Sequence, residues 1–139
     1  MKSRYEPLVK LKKKALDKAE LALMGANNEV ALSDSALENA YQQLSLLTSP
    51  QNGSIGELFQ AKMIAQAQHR EIESCRLRVD QARINQENAR AAFRFSRIEF
   101  EKFNYLEIQE IEKIVAKVKY EEAKMLDEIG TMTYKKVWL

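Results

Sequence analysis

Leu16-Asp17-Lys18-Ala19-Glu20-Leu21-Ala22-Leu23-Met24-Gly25-Ala26-Asn27-Asn28-Glu29-Val30 is the stretch that decides the fold. Leu16, Leu23 and Val30 lie seven residues apart, and three positions after each come the small residues Ala19, Ala26 and Ser33. Outwards from this stretch, the first series reaches back to Val9 and on to Leu37 and Leu44, and the second runs from Lys12 to Ala40 and Leu47. This is a heptad with large residues at a and small ones at d. Thr48-Ser49-Pro50-Gln51-Asn52-Gly53-Ser54 breaks it with turn formers. A second series follows, with Leu58, Ala65, Ile72, Val79, Gln86, Phe93 and Phe100 at a and Ala61, Gln68, Cys75, Ala82, Ala89, Ser96 and Phe103 at d.

The alternation of large and small sets the orientation. Parallel helices would stack a on a and d on d, leaving layers alternately overfull and empty, whereas antiparallel helices set each large residue against a small one. A short turn demands the same arrangement. The expected fold is therefore all-α: two long helices forming an antiparallel coiled-coil hairpin over 1–139, with helix 1 over about 5–48, a loop over about 49–56 and helix 2 over about 57–129. Gly130 is the expected terminator.

Taking facing residues to be those whose numbers add to about 105 sets Leu16 with Ala89, Leu23 with Ala82, Val30 with Cys75, Ser33 with Ile72, Leu47 with Leu58 and Tyr5 with Phe100. It also brings Glu29 near Arg78, Glu20 near Arg83 and Asp34 near His69. In this register helix 1 runs out opposite about position 100, and roughly 25 to 30 residues of helix 2 overhang it. Ile108, Ile111, Val115, Val118, Met125 and Ile129 make an apolar stripe along that overhang. An exposed stripe of this length marks an interaction site, for a second copy of itself or for a dedicated partner.

Chemistry finds few candidates. A single His leaves no paired-histidine zinc site, no Gly-rich loop opens a helix, and one cysteine cannot form an internal disulfide. No cofactor, metal or catalytic residue is expected, and the chain is not expected to be an enzyme. Cys75, at a d position, reads as a small buried hydrophobe. Lys62, His69, Arg76, Arg83, Arg90 and Arg97 share position e and form a basic stripe. The aromatics do not interleave with it, since Phe93, Phe100 and Phe103 lie on the seam and Phe95 alone points elsewhere, so nucleic acid is not an expected partner. The net charge of +2 agrees. Lysines where an apolar leader would stand, and no stretch of about 20 apolar residues, predict a cytoplasmic protein.

The sequence also resembles the flagellar export protein FliJ family, the coiled-coil stalk of the bacterial flagellar type III export apparatus. The resemblance rests on an aromatic before Leu8 and Leu11, the patch Lys12-Lys13-Lys14, an Ala- and Leu-rich heptad helix, a loop near position 52 and a longer second helix. It rests also on Tyr120-Glu121-Glu122-Ala123-Lys124-Met125-Leu126-Asp127-Glu128-Ile129 near the end. It implies three partners: a hexameric flagellar export ATPase holding the helix ends, an export gate protein touching the loop-proximal half, and export chaperones. Contact with the membrane would be through partners only, at the cytoplasmic face of the flagellar base. The ATPase contact would fall on the tail stripe with Asp127 and Glu128. The gate contact would fall on Leu58, Ala65 and His69, with Ala40 and Leu47 on helix 1. Leu58 stands where the family carries an aromatic, and Lys62 where it carries an apolar residue. The equivalent stalk of a virulence secretion system and a self-associating coiled-coil scaffold are the alternatives.

Overall fold

The computed structural model describes residues 3–48 and 53–138. Two long helices account for nearly all of them: α1, Glu6–Leu46, and α2, Ile55–Trp138, packed against each other as a hairpin with no strand among the described residues.

Local signals set the helix ends. Ser3 turns the chain into α1: its Oγ accepts from the Tyr5 N–H at 2.9 Å and its carbonyl from the Glu6 N–H at 3.2 Å. Pro7 falls in the first turn, where a missing N–H costs nothing. The last turn of α1 tightens, Leu47 N–H donating to the Leu44 carbonyl at 3.1 Å. Ser54 caps α2, its Oγ accepting from the Glu57 N–H at 3.2 Å, the first half of a Ser-x-x-Glu capping box. This cap starts α2 at Ile55 and not at about 57. The expected turn residues Ser49, Pro50, Gln51 and Asn52 lie outside the described residues.

The expected terminator, Gly130, does not terminate. No glycine has a positive φ, so Gly130 never enters the left-handed conformation that closes a helix. Thr131, Met132, Thr133 and Tyr134 carry no breaker, and α2 continues to Trp138.

The chain divides into two compact units, one of the described residues of Met1–Leu16 with Ser96–Leu139, the other Asp17–Phe95. In the Asp17–Phe95 unit the antiparallel sense is direct, because partners on α2 fall as positions on α1 rise. Asn27 Oδ1 accepts from Gln86 Nε2 at 2.8 Å, Glu29 meets Arg78 at 2.9 Å, and the Ala40 carbonyl accepts from Gln68 Nε2 at 2.8 Å. The core is a cluster of Ala40, Ile72 and Cys75, with Ala36, Leu37 and Leu44 packed against it. Val79 and Ala82 are also buried, and Ser33 completely so.

These contacts correct the register. Cys75 shares its cluster with Leu37 and Ala40, so facing numbers add to about 112, one heptad beyond the expected value. Val30 with Cys75, Ser33 with Ile72 and Leu47 with Leu58 are therefore each displaced by seven. Asp34 pairs with Arg83 at 3.6 Å and not with His69, which leaves the expected Glu20–Arg83 pair unmade. Glu29 does meet Arg78 as expected. Each exposed pair contributes about 0.2–1 kcal/mol. Full burial of an aliphatic side chain contributes about 1.5–3 kcal/mol, so Ile72 and Val79 outweigh the flanking ions.

Candidate functional site

In the unit containing the chain start, the register correction moves the boundary of the overhang. Ser3 Oγ donates to Glu110 Oε2 at 3.3 Å, and Arg4 joins the same carboxylate at 3.4 Å. Lys12 pairs with Glu99 at 3.4 Å and lies over the Phe103 ring, while Lys13 lies over Phe100. Phe100 is thus faced by a lysine and not by Tyr5, and the lysine-rich first turns are offset by acids of α2, against the unfavourable field of the helix N-terminus. Ile111 and Val115 are half-buried along with Ile114. Ile108 is exposed, but the first turns of the chain reach seven residues further along α2 than expected and partly cover Ile111 and Val115.

From Ala116 to Tyr134 every side chain is exposed. Val118, Met125, Ile129 and Met132 fall within one face of that length, with Leu126 exposed to one side of it and Tyr120 exposed on the opposite face. Asp127 and Glu128 line a shallow groove with Lys124, Thr131 and Met132. Because α2 runs on to Trp138, both acids lie well inside the helix, beyond the last turn where its dipole acts.

In the Asp17–Phe95 unit, the five loop-proximal candidates separate. Ala40 is in the core, 4% exposed. Leu47 and Ala65 line one cleft together with Leu44, Thr48, Glu57, Gln60, Ala61 and Ile64. Leu58 is exposed, and so is His69. Pattern reading missed the residues around them. Ile55, Phe59, Met63 and Ile64 are all exposed, and none occupies a or d. The available signal was an aromatic, Phe59, at a heptad position that should face water, one residue after the Leu58 that stands in an aromatic's place.

The basic stripe at e is largely occupied. Arg76 donates to the Tyr41 hydroxyl through Nε at 2.8 Å and lies over its ring, and that hydrogen bond raises the guanidinium pKa further. Arg83 holds Asp34, Arg90 approaches Glu87, and Arg97 bonds Glu101 at 3.1 Å. Burial pushes the Cys75 thiol above its ordinary pKa, with the nearby Glu71 carboxylate adding to the effect. A thiol held protonated is a poor nucleophile. Among the described residues no group of His, Cys, Asp and Glu could hold a metal ion, and no helix is long and apolar enough to cross a membrane.

Two long helices packed against each other, with their flanking charges largely paired and apolar side chains left exposed, define an all-α coiled-coil protein. A family model described as Flagellar FliJ protein matches residues 1–137, and the chain belongs to that family. Membership implies a stalk role in flagellar protein export, among non-catalytic structural components. No curated protein and no solved structure matches the chain significantly.

Proposed function

We propose that the chain is a non-enzymatic stalk whose free C-terminal length is held by the flagellar export ATPase ring, whose turn-proximal cleft meets the export gate, and which also handles export chaperones. The observation that carries this reading is the run from Ala116 to Tyr134, exposed throughout and bearing Val118, Met125, Ile129 and Met132. A soluble partner gains by covering such a stripe, at about 25 cal/mol for each Å² of apolar surface removed from water. Ile108, Ile111 and Val115 belong to the base of the contact, and Asp127 and Glu128 supply a charged pair for basic side chains of the ring. At the other site the gate contact rests on Leu47, Leu58, Ala65 and His69, with Phe59 beside them, and not on Ala40.

Ending the chain after Lys117 tests the ATPase contact. Loss of co-purification with the export ATPase, with the rest of the chain still helical by circular dichroism, is the expected result. Undiminished co-purification would remove the tail from the proposal.

A further inference from the structure

Charge is unevenly spread along the chain. From Asn39 to Gln68, thirty residues hold two charged side chains, Glu57 and Lys62, where the chain's overall 30% would give about nine. The gap is one region of the structure as well as of the sequence. Gln68 Nε2 donates to the Ala40 carbonyl at 2.8 Å, which sets both limits of the neutral stretch at one level of the hairpin. Charges resume beyond that level on both helices, with Glu38 on α1 and Arg70 and Glu71 on α2. Glu57 has a local reason, since it stands in the first turn of α2, where the helix dipole favours an acid.

The same end is apolar around the whole circumference of α2. Ile55, Leu58, Phe59, Met63 and Ile64 are all exposed. Successive residues of a helix turn by roughly 100°, so Ile64 stands opposite Ile55. Ile64 lines the cleft with Leu47 and Ala65, whereas Ile55, Phe59 and Gln66 lie on the far side of the helix from it. A helix that is apolar on every side is one that another body surrounds. Such a body excludes charges, because an ion shut away from water without a counter-ion is strongly disfavoured. Uncharged polar side chains fill the remaining places, Gln42 and Gln43 on α1 and Gln60 and Gln66 on α2. Side-chain amides keep their hydrogen bonds only within a lining that offers donors and acceptors, which protein does and a lipid interior does not.

We infer that the turn end of the hairpin is a plug, received by its protein partner in a neutral socket that is lined with hydrogen-bonding groups and closes around α2 on the far side as well as at the cleft. The plug rests on the reading of the export gate as the partner at this end. It adds to that contact the far side of the helix, with Ile55, Phe59, Met63 and Gln66. A second copy of the chain supplies no such socket, because helices present convex surfaces that touch a tip along one side and leave the other wet. Lys62 is the one charge without a local reason, and its stem is long enough to carry the ammonium to the rim. With so little charge on the plug, its attraction is short-ranged and indifferent to salt.

Titration calorimetry of the full chain against the cytoplasmic part of the export gate protein tests this. The affinity should change less than about twofold between about 0.05 and 0.5 M salt. Gln66 is exposed, so Gln66→Lys and Gln66→Glu should leave the helical spectrum unchanged. Each should weaken binding by roughly tenfold or more, as should Ile64→Lys in the cleft. Gln81→Lys, on α2 beyond the neutral stretch, should bind as the parent does. If Ile64→Lys weakens binding and both Gln66 variants do not, the partner lies along the cleft alone, so the gate reading survives and the plug is overturned. No binding by the unsubstituted chain, or binding that none of these variants weakens, removes the gate contact and the plug together. Tighter binding by a Gln66 variant of either sign, or an affinity that falls steeply with salt, overturns the neutral lining. Binding of the full chain to phosphatidylglycerol and phosphatidylethanolamine vesicles that is lost in Gln66→Glu overturns the protein socket in favour of a lipid surface.

Discussion

Gly25 sits in the interior of α1 with nothing within 4 Å of the place a Cβ would occupy. Glycine there carries its full entropic cost and yields no close approach, no turn and no positive φ in return. Gly25→Ala should therefore stabilise the chain by about 0.5–1 kcal/mol, read as a higher midpoint in urea at an unchanged slope. A lower midpoint would mean that the glycine serves a contact absent from the isolated chain. Ser33 shows the opposite kind of residue. Among the described residues it stands out at 0% exposure, its hydroxyl donating to the Val30 carbonyl of its own helix at 3.0 Å. A small residue at d with an internally satisfied hydroxyl lets the two helices approach closely. Its burial was legible from position alone; its partner across the seam was not.

At the scale of elements, the helices, their antiparallel sense and the large-small layering were all written into the seven-residue series. The register was not, and the reason is physical. A heptad pattern maps onto itself when one helix slides by seven residues, so Leu37 fits against Cys75 as well as Val30 does in size and polarity. The flanking charges discriminate poorly, because long side chains reach half a heptad up or down. Glu29 finds Arg78 near either register, whereas Asp34 changes partner from His69 to Arg83. What decides is the connection: Leu47 and Thr48 lie along the first turns of α2, lining a cleft with Glu57, Ala61 and Ala65, so α2 begins well before the level at which α1 stops. Facing numbers that add to about 105 put the layers one heptad off. The native thiol offers a direct check. Leu37→Cys should form an intramolecular disulfide with Cys75 under mild oxidation at alkaline pH, where the raised thiol pKa is overcome. Val30→Cys should stay reduced, displaced by about 10 Å along the axis. Mass spectrometry of the peptide pair reads the result, and a Val30–Cys75 bond would restore the register of about 105.

At the scale of the whole molecule, the same slip decides how much of α2 is free. A start of helix 1 opposite about position 100 would leave everything after it bare, and Ile111 and Val115 would count as partner surface alone. The contacts of Ser3 and Arg4 with Glu110 take those turns into the fold, and the unbroken run of exposed side chains begins only at Ala116 and extends to Tyr134. Two truncations separate these accounts without any partner protein. Ending the chain after Lys117 removes a length whose side chains are exposed from Val118 to Tyr134 and should leave the thermal midpoint of what remains unchanged. Ending it after Leu106 also removes Glu110, Ile111, Ile114 and Val115. That should lower the midpoint by several degrees, each kcal/mol lost being worth about 2–8 °C for chains of this size range. Differential scanning calorimetry of the two shortened chains reads the difference. Equal midpoints would mean that the chain start holds nothing in solution, and that the free length of α2 is as long as its heptads first suggest. A drop already at Lys117 would mean that residues beyond Ala116 fold onto the body of the protein, leaving no bare length for an ATPase ring to hold.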